Sequence, residues 1–208
     1  VHPARPGPFQ HGGERGLMPT EEPGLSTEIL LAAYRRGRFP MTHEDGELYW
    51  HDPDPRAIFP LEALHPNARL RSYIRSHGYS CTINTCFEMV MRACADRPEK
   101  WINERMIQGY TALHRMGCAL SVETWHEGEL VGGLYGVAIN HAFFGESMFS
   151  RATNASKAAF YRLAEYLRRS SFSLFDTQYI NPHTRSLGAI EVPRAEFRQM
   201  LMAATEAR

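Results

Sequence analysis

Apolar and polar positions along the chain change period near residue 118. Before it, helical spacing dominates. The run GLSTEILLAAYRRGRFP (24–40) predicts a helix with Ser26 as its cap, Glu28 at its positive end and Arg35 and Arg36 at the other; Gly37 and Pro40 stop it. A second helix is expected after Pro66, bringing Arg69, Arg71 and Arg75 near one another. TCFEMVMRACAD and NERMIQGYTALHRMG predict two more, the latter ending at Gly117. YWHDPDPRAIFP (49–60) reads as an ordered loop or short strands, and YSCTIN (79–84) as a strand. From 118, CALSVETWHEGELVGGLYGVAINHAFFGESMFS alternates with a period of two and gives three strands, with turns at 126–128 and 139–141. Asn154 is placed to cap the helix ASKAAFYRLAEYLRRS; SLFDTQYI then predicts a strand, NPHTRSLGAIEVPR (181–194) a loop, and RAEFRQMLMAA a last helix.

Three antiparallel strands, a helix and a further strand predict an α+β fold with an acyltransferase-like C-terminal half. The expected organisation is an arm over 1–24, a smaller helix-rich domain over 25–95 and a catalytic domain over 96–208. Composition adds little direction: Lys+Arg and Asp+Glu both number 23 in 208 residues, so no global field points to nucleic acid, although one basic face suffices for binding. No stretch approaches the roughly 20 apolar residues of a membrane span. Residues 1–24 lack the apolar core of a signal peptide, and Cys81, Cys86, Cys94 and Cys118 form no CxxC pair. A reducing, cytoplasmic setting is expected.

Candidate chemistry starts at FFGESMFS (143–150), where Glu146 stands among Phe143, Phe144, Met148 and Phe149. A buried unpaired carboxylate costs several kcal/mol or neutralises. Glu146 therefore points either to water or into a pocket that supplies a positive partner. Strand alternation places Glu146 and Met148 on one face, and likewise Asp176 and Gln178. Trp101, at a helix start, either stacks on a base or covers the core. The arginines 35, 36, 38, 69, 71 and 75 are candidate phosphate contacts. No GxSxG elbow supports a serine nucleophile among Ser186, His183 and Asp176. A CoA-dependent N-acyltransferase is the alternative reading. Such enzymes grip pyrophosphate with a glycine-containing turn at a helix N-terminus. In SRATNAS (150–156), Arg151 is present but Asn154 and Ser156 stand where glycines would be.

Six segments together resemble bacterial leucyl/phenylalanyl-tRNA–protein transferases: AYRRGRFP (33–40), YWHDPDPRAIFP (49–60), WINERMIQGYTALHRMG (101–117), SVETWHEGELVGGLYGV (121–137), FFGESMFSRATNASKAA (143–159) and FDTQYINPHTRSLGAIEVPR (175–194). The resemblance implies a GNAT-like catalytic domain that uses no acetyl-CoA, metal or nucleotide cofactor. It implies transfer of Leu or Phe, less readily Met, from aminoacyl-tRNA to proteins beginning with Arg or Lys, which marks them for the N-end rule pathway. By the same resemblance Asp176 orients Gln178, Gln178 draws the proton from the attacking amine, and Glu146 helps hold the cationic acceptor. Leu134, Phe143, Met148, Phe160, Leu163 and Phe175 would form the donor side-chain pocket, with Asn181 beside it. Trp101 would stack on the terminal adenine, while Met41 stands where well-known members carry a second tryptophan.

Overall fold

The computed structural model describes residues 25–43, 45–97 and 101–206. The expected arm over 1–24 lies outside the described residues. Seven α-helices are present among them: α1 (Thr27–Tyr34), α2 (Ala68–Ser76), α3 (Phe87–Ala95), α4 (Glu104–Arg115), α5 (Ala155–Arg169), α6 (Pro182–Ser186) and α7 (Arg194–Glu206). The strands are β1 (Phe39–Thr42), β2 (Leu48–His51), β3 (Arg56–Ile58), β4 (Ser80–Ile83), β5 (Ala119–His126), β6 (Glu129–Ile139), β7 (Ala142–Ser150), β8 (Leu174–Gln178) and β9 (Ile190–Val192). β1 and β2 form a separate hairpin, and the others form a mixed seven-stranded sheet in the order β4-β5-β6-β7-β8-β3-β9. Residues 25–95 thus supply three α-helices, a 3-10 turn (Leu61–Ala63) and four strands, two of which enter the main sheet.

Local chemistry accounts for most boundaries. Ser26 accepts the Ile29 N–H at 3.3 Å and starts α1, and Asn103 does the same for Met106 at the start of α4. Glu127 and Gly128 both adopt positive φ, which a tight two-residue hairpin between β5 and β6 requires. Two expectations are corrected. Asn154 does not cap α5 with its side chain; it sits in the left-handed region at φ 63°, and the Ala155 N–H bonds the Ala152 carbonyl instead. The segment 181–194 is not a plain loop. Asn181 and Thr184 form a reciprocal capping box with Pro182 in the first turn, which nucleates α6, and β9 then pairs with β3.

The sheet separates two apolar layers. On one face, side chains from α1, α3, α4 and α7 join Tyr135, Val137, Phe144 and Phe149. On the other, α5 contributes Phe160, Leu163 and Leu167, packed against Phe59, Leu134, Phe143 and Phe175. Glycine permits the close approach of α5. A Cβ on Gly132 would lie 2.6 Å from the Ala155 Cβ and 2.7 Å from its carbonyl carbon, both backbone-anchored. Gly132→Ala is therefore expected to push α5 from β6 and to destabilise the fold by about 1–3 kcal/mol. Urea denaturation of the variant measures it, and an unchanged midpoint would contradict this packing.

Candidate active site

One cavity of about 1490 Å³ collects most of the residues singled out from the sequence. Leu134, Phe143, Met148, Phe160, Leu163 and Phe175 line an apolar lobe, joined by Phe59, which sequence reasoning missed. The aromatic rings meet edge-on or tilted, with Phe59 centred 4.8 Å from both Phe160 and Phe175, and Phe143 5.3 Å from Phe175. Such packing gives the lobe a rigid wall. Met41 and Trp101 line the same cavity and pack partly buried against the core. Asn181 lines it as well, but its Oδ1 accepts the Thr184 N–H at 2.8 Å and is committed to capping α6. None of the arginines 35, 36, 38, 69, 71 and 75 is among the lining residues; Arg97 and Arg194 are.

Glu146 reaches this cavity by a route that plain alternation does not give. In the β6–β7 ladder, Tyr135 faces Ser147 and Gly136 faces Gly145, so Glu146 is the extra residue of a bulge. The expected shared face is corrected accordingly. Met148 packs on the α5 side, whereas Glu146 meets tyrosines of α1 and α4 on the other side. Its Oε1 accepts the Tyr34 hydroxyl at 2.7 Å and the Gln178 Nε2–H at 2.8 Å; its Oε2 lies 3.3 Å from the Tyr110 hydroxyl. Tyr34 and Tyr110 also share a 2.5 Å hydrogen bond. Burial raises the Glu146 pKa to about 8, against the opposing pull of the Tyr34 hydrogen bond. Both tyrosines are held well above their ordinary values, first by burial and then by the Glu146 charge.

Asp176 does not line the cavity; it lies behind it, fully buried. Its carboxylate takes a bidentate pair from Arg56, with Nε to Oδ1 at 2.8 Å and Nη2 to Oδ2 at 2.6 Å. Oδ1 also accepts the Gln178 backbone N–H at 3.0 Å. Asp176 thus contacts Gln178 through its backbone and not through its amide. Gln178 is centred in a tight turn in which the Tyr179 N–H bonds the Thr177 carbonyl at 2.8 Å, and its φ is 68°. That conformation is strained for a residue with a side chain. The Asp176 hydrogen bond helps hold it, while Glu146 occupies the amide nitrogen. The side-chain carbonyl is left as the acceptor of the amide.

Arg56, Tyr34 and Tyr110 escaped sequence reasoning. Arg56 lies within the quoted proline-rich stretch, and a buried partner for Asp176 was the signal that could have found it. His51 was missed as well; its Nδ1 lies 2.8 Å from the Tyr179 hydroxyl, and its Nε2 3.0 Å from that of His43. The buried Tyr135 hydroxyl, also in the cavity wall, has no hydrogen-bond partner among the described residues.

Comparison with known proteins fits this geometry. Residues 58–202 match the family model described as leucyl/phenylalanyl-tRNA protein transferase, and residues 24–54 match that of its N-terminal domain. The leucyl/phenylalanyl-tRNA–protein transferase of Gloeobacter violaceus is 50% identical over 181 residues, covering 86% of this chain and 94% of the relative. That of Herpetosiphon aurantiacus is 48% identical over 88% of this chain and 95% of its own. The relative from Dinoroseobacter shibae is 43% identical over 92% and 87%. The class is therefore that of an aminoacyltransferase. The chain belongs to the leucyl/phenylalanyl-tRNA–protein transferase family.

The geometry gives Asp176 and Gln178 unequal weight in stability. Asp176→Ala leaves Arg56 buried without its partner and is expected to cost about 3–5 kcal/mol. Gln178→Ala is expected to cost about 1 kcal/mol or less, because it removes one hydrogen bond. Thermal and urea unfolding of both variants test the contrast; equal losses would contradict it. Glu146 has a distinct pH signature. Between its ordinary value of 4.5 and about 8, the folded chain retains a proton that the unfolded chain has released. Its contribution to stability therefore falls as pH rises through that window. Glu146→Gln should remove this decline, so the difference in unfolding free energy should shift steadily in favour of the variant between pH 5 and 8. Parallel curves would show that Glu146 ionises normally.

Proposed function

We propose that this chain transfers Leu or Phe, and less readily Met, from aminoacyl-tRNA to the α-amino group of proteins beginning with Arg or Lys. The product would carry a destabilising N-terminus for N-end rule degradation. The observation that carries this reading is the single cavity in which an aromatic-walled apolar lobe opens beside Glu146 and Gln178. One substrate brings an unbranched-at-β apolar side chain, the other a cation, and this cavity offers one wall for each. The parallel β7–β8 pair linked through α5 supports reading this half as GNAT-like.

The reaction is aminolysis of an ester. The neutral α-amine attacks the aminoacyl carbonyl, a peptide bond forms, and the ribose hydroxyl of the terminal adenosine leaves with a proton. An N-terminal amine has a pKa of about 7.7–8.0, so a sizeable neutral fraction exists without a strong base, and positioning dominates. Gln178, with its amide nitrogen held by Glu146, presents its carbonyl to the attacking amine. The incoming Arg or Lys side chain favours the ionised form of Glu146, because a nearby positive charge offsets the burial that keeps the carboxyl protonated. Trp101 stacks on the adenine and Met41 touches it from a flexible side chain.

A CoA-dependent N-acyltransferase is the rival. Against it, the first turn of α5 is already occupied by its own chain: the Ala155 N–H bonds the Ala152 carbonyl and the Ser156 N–H bonds Ser150 Oγ at 3.1 Å. A pyrophosphate at that helix end would have to displace both. Transfer of labelled Leu and Phe from tRNA to an Arg-started peptide, with acetyl-CoA as the control donor, decides between them. Transfer from tRNA alone is expected; acetyl transfer without aminoacyl transfer would overturn the proposal. Within the lobe, Phe160→Ala should change the Leu-to-Phe kcat/KM ratio by roughly tenfold, the scale on which apolar pockets discriminate. An unchanged ratio would remove Phe160 from the donor pocket.

A further inference from the structure

Among the described residues that line the cavity, Arg97 is an arginine with no ion-pair partner. Asp52 pairs with Arg198 at 2.6 Å, Asp54 with Arg194 at 3.9 Å and Glu191 with Arg185 at 3.8 Å. Glu146 lies beneath Tyr34 and Tyr110. Arg97 lines the same cavity, and among the described residues no carboxylate lies within ion-pair distance of it. It follows α3 and precedes Trp101 by four residues, so cation and aromatic come from one short segment.

The surroundings make this edge of the cavity positive. His183 lies against the apolar lobe, with Nε2 3.1 Å from Met148 Sδ. Its pKa is lowered by burial first, then by the charges of Lys157 and Arg97. Lys157 sits in the first turn of α5, whose N-terminus adds further positive potential. The cavity therefore presents an apolar pocket, an aromatic ring and, among the described residues, an unmatched guanidinium. The 3′ end of an aminoacyl-tRNA presents an apolar aminoacyl group, a purine nucleoside and a phosphodiester.

We propose that Arg97 binds the phosphate on the 5′ side of the terminal adenosine of the donor. A guanidinium fork matches two phosphate oxygens, which an ammonium does not. This inference rests on the aminoacyl-tRNA reading of the same cavity. Binding there adds affinity and register to the donor and plays no part in proton transfer. It also gives this near-neutral chain a local electrostatic contact with nucleic acid at the point where the ester must be placed.

Two small donors isolate the contact: 3′-phenylalanyl-adenosine with and without a 5′-phosphate. For the unsubstituted protein, the phosphate is expected to raise kcat/KM by about tenfold or more, the scale of one charge-assisted hydrogen-bonded contact. Arg97→Ala should collapse that ratio toward one, and Arg97→Lys should leave it intermediate. A direct measurement needs no turnover. Adenosine 5′-monophosphate should bind more tightly than adenosine by calorimetry, and Arg97→Ala should erase the difference. If Arg97→Ala lowers transfer from both donors equally, or changes neither, the assignment is overturned. If neither donor nor full aminoacyl-tRNA supports transfer by the unsubstituted protein, the transferase reading itself fails, a result distinct from loss of the phosphate effect alone.

Discussion

The buried pair between Arg56 and Asp176 is the constraint on which the rest of the site depends. Two full charges removed from water are tolerable only when each finds enough partners. Arg56 finds them on several elements. It grips Asp176 on β8 through Nε and Nη2, donates Nη1 to the Gly37 carbonyl after α1 at 2.8 Å, and lies over the rings of Phe39 on β1 and Phe197 on α7. Asp176 uses its remaining capacity on the Gln178 N–H. Helix, hairpin, sheet and C-terminal helix are thereby tied to the single turn that carries Gln178. A lone Asp176 would be too costly at zero exposure, and a lone Arg56 equally so.

Glu146 follows the opposite logic. Among the described residues no cation forms an ion pair with it; three neutral donors converge on it, and burial still raises its pKa to about 8. A carboxyl held this way is stable as the acid and responsive to an arriving positive charge. The strained Gln178 is of the same kind, a local cost sustained by the surrounding structure. The two residues lean on each other through the 2.8 Å bond between Nε2 and Oε1. Backbone strain and an unrelaxed carboxyl thus meet at one point of the cavity wall.

Sequence reasoning recovered the parts of this that are local. Helices starting at Ser26 and Asn103 and the hairpin at Glu127–Gly128 follow from capping and turn chemistry within a few residues. The residues of the apolar lobe were named only through the family resemblance, which rests on distinctive strings in the segments that supply most of them. What escaped depends on distant contacts. Tyr34 meets Glu146 across 112 positions and Arg56 meets Asp176 across 120, and no local pattern reports either. The Glu146 bulge escaped because FFGESMFS reads equally well as an unbroken strand. α6 and β9 escaped because composition alone made 181–194 look like a loop, while the Asn181–Thr184 capping box and pairing with β3 organise it.

The bulge and the tight turn together explain how one cavity collects side chains from both faces of a sheet. β7 and β8 run parallel with Ala142 opposite Leu174, Phe143 opposite Phe175 and Phe144 opposite Asp176, and their pairing ends there. Immediately beyond, β7 bulges at Glu146 and β8 turns out of the extended conformation at Gln178. Two strands that would otherwise continue their ladder are held apart, and the gap is bridged by side chains instead of backbone hydrogen bonds. Through that gap, Met148 and Phe175 on the α5 side share a cavity with Glu146 on the α1 and α4 side. An unbroken ladder would have sealed the two faces from each other. A carboxylate among phenylalanines is therefore the consequence of opening a sheet at one point, and the opening is where an apolar lobe and a buried carboxyl come to share one cavity.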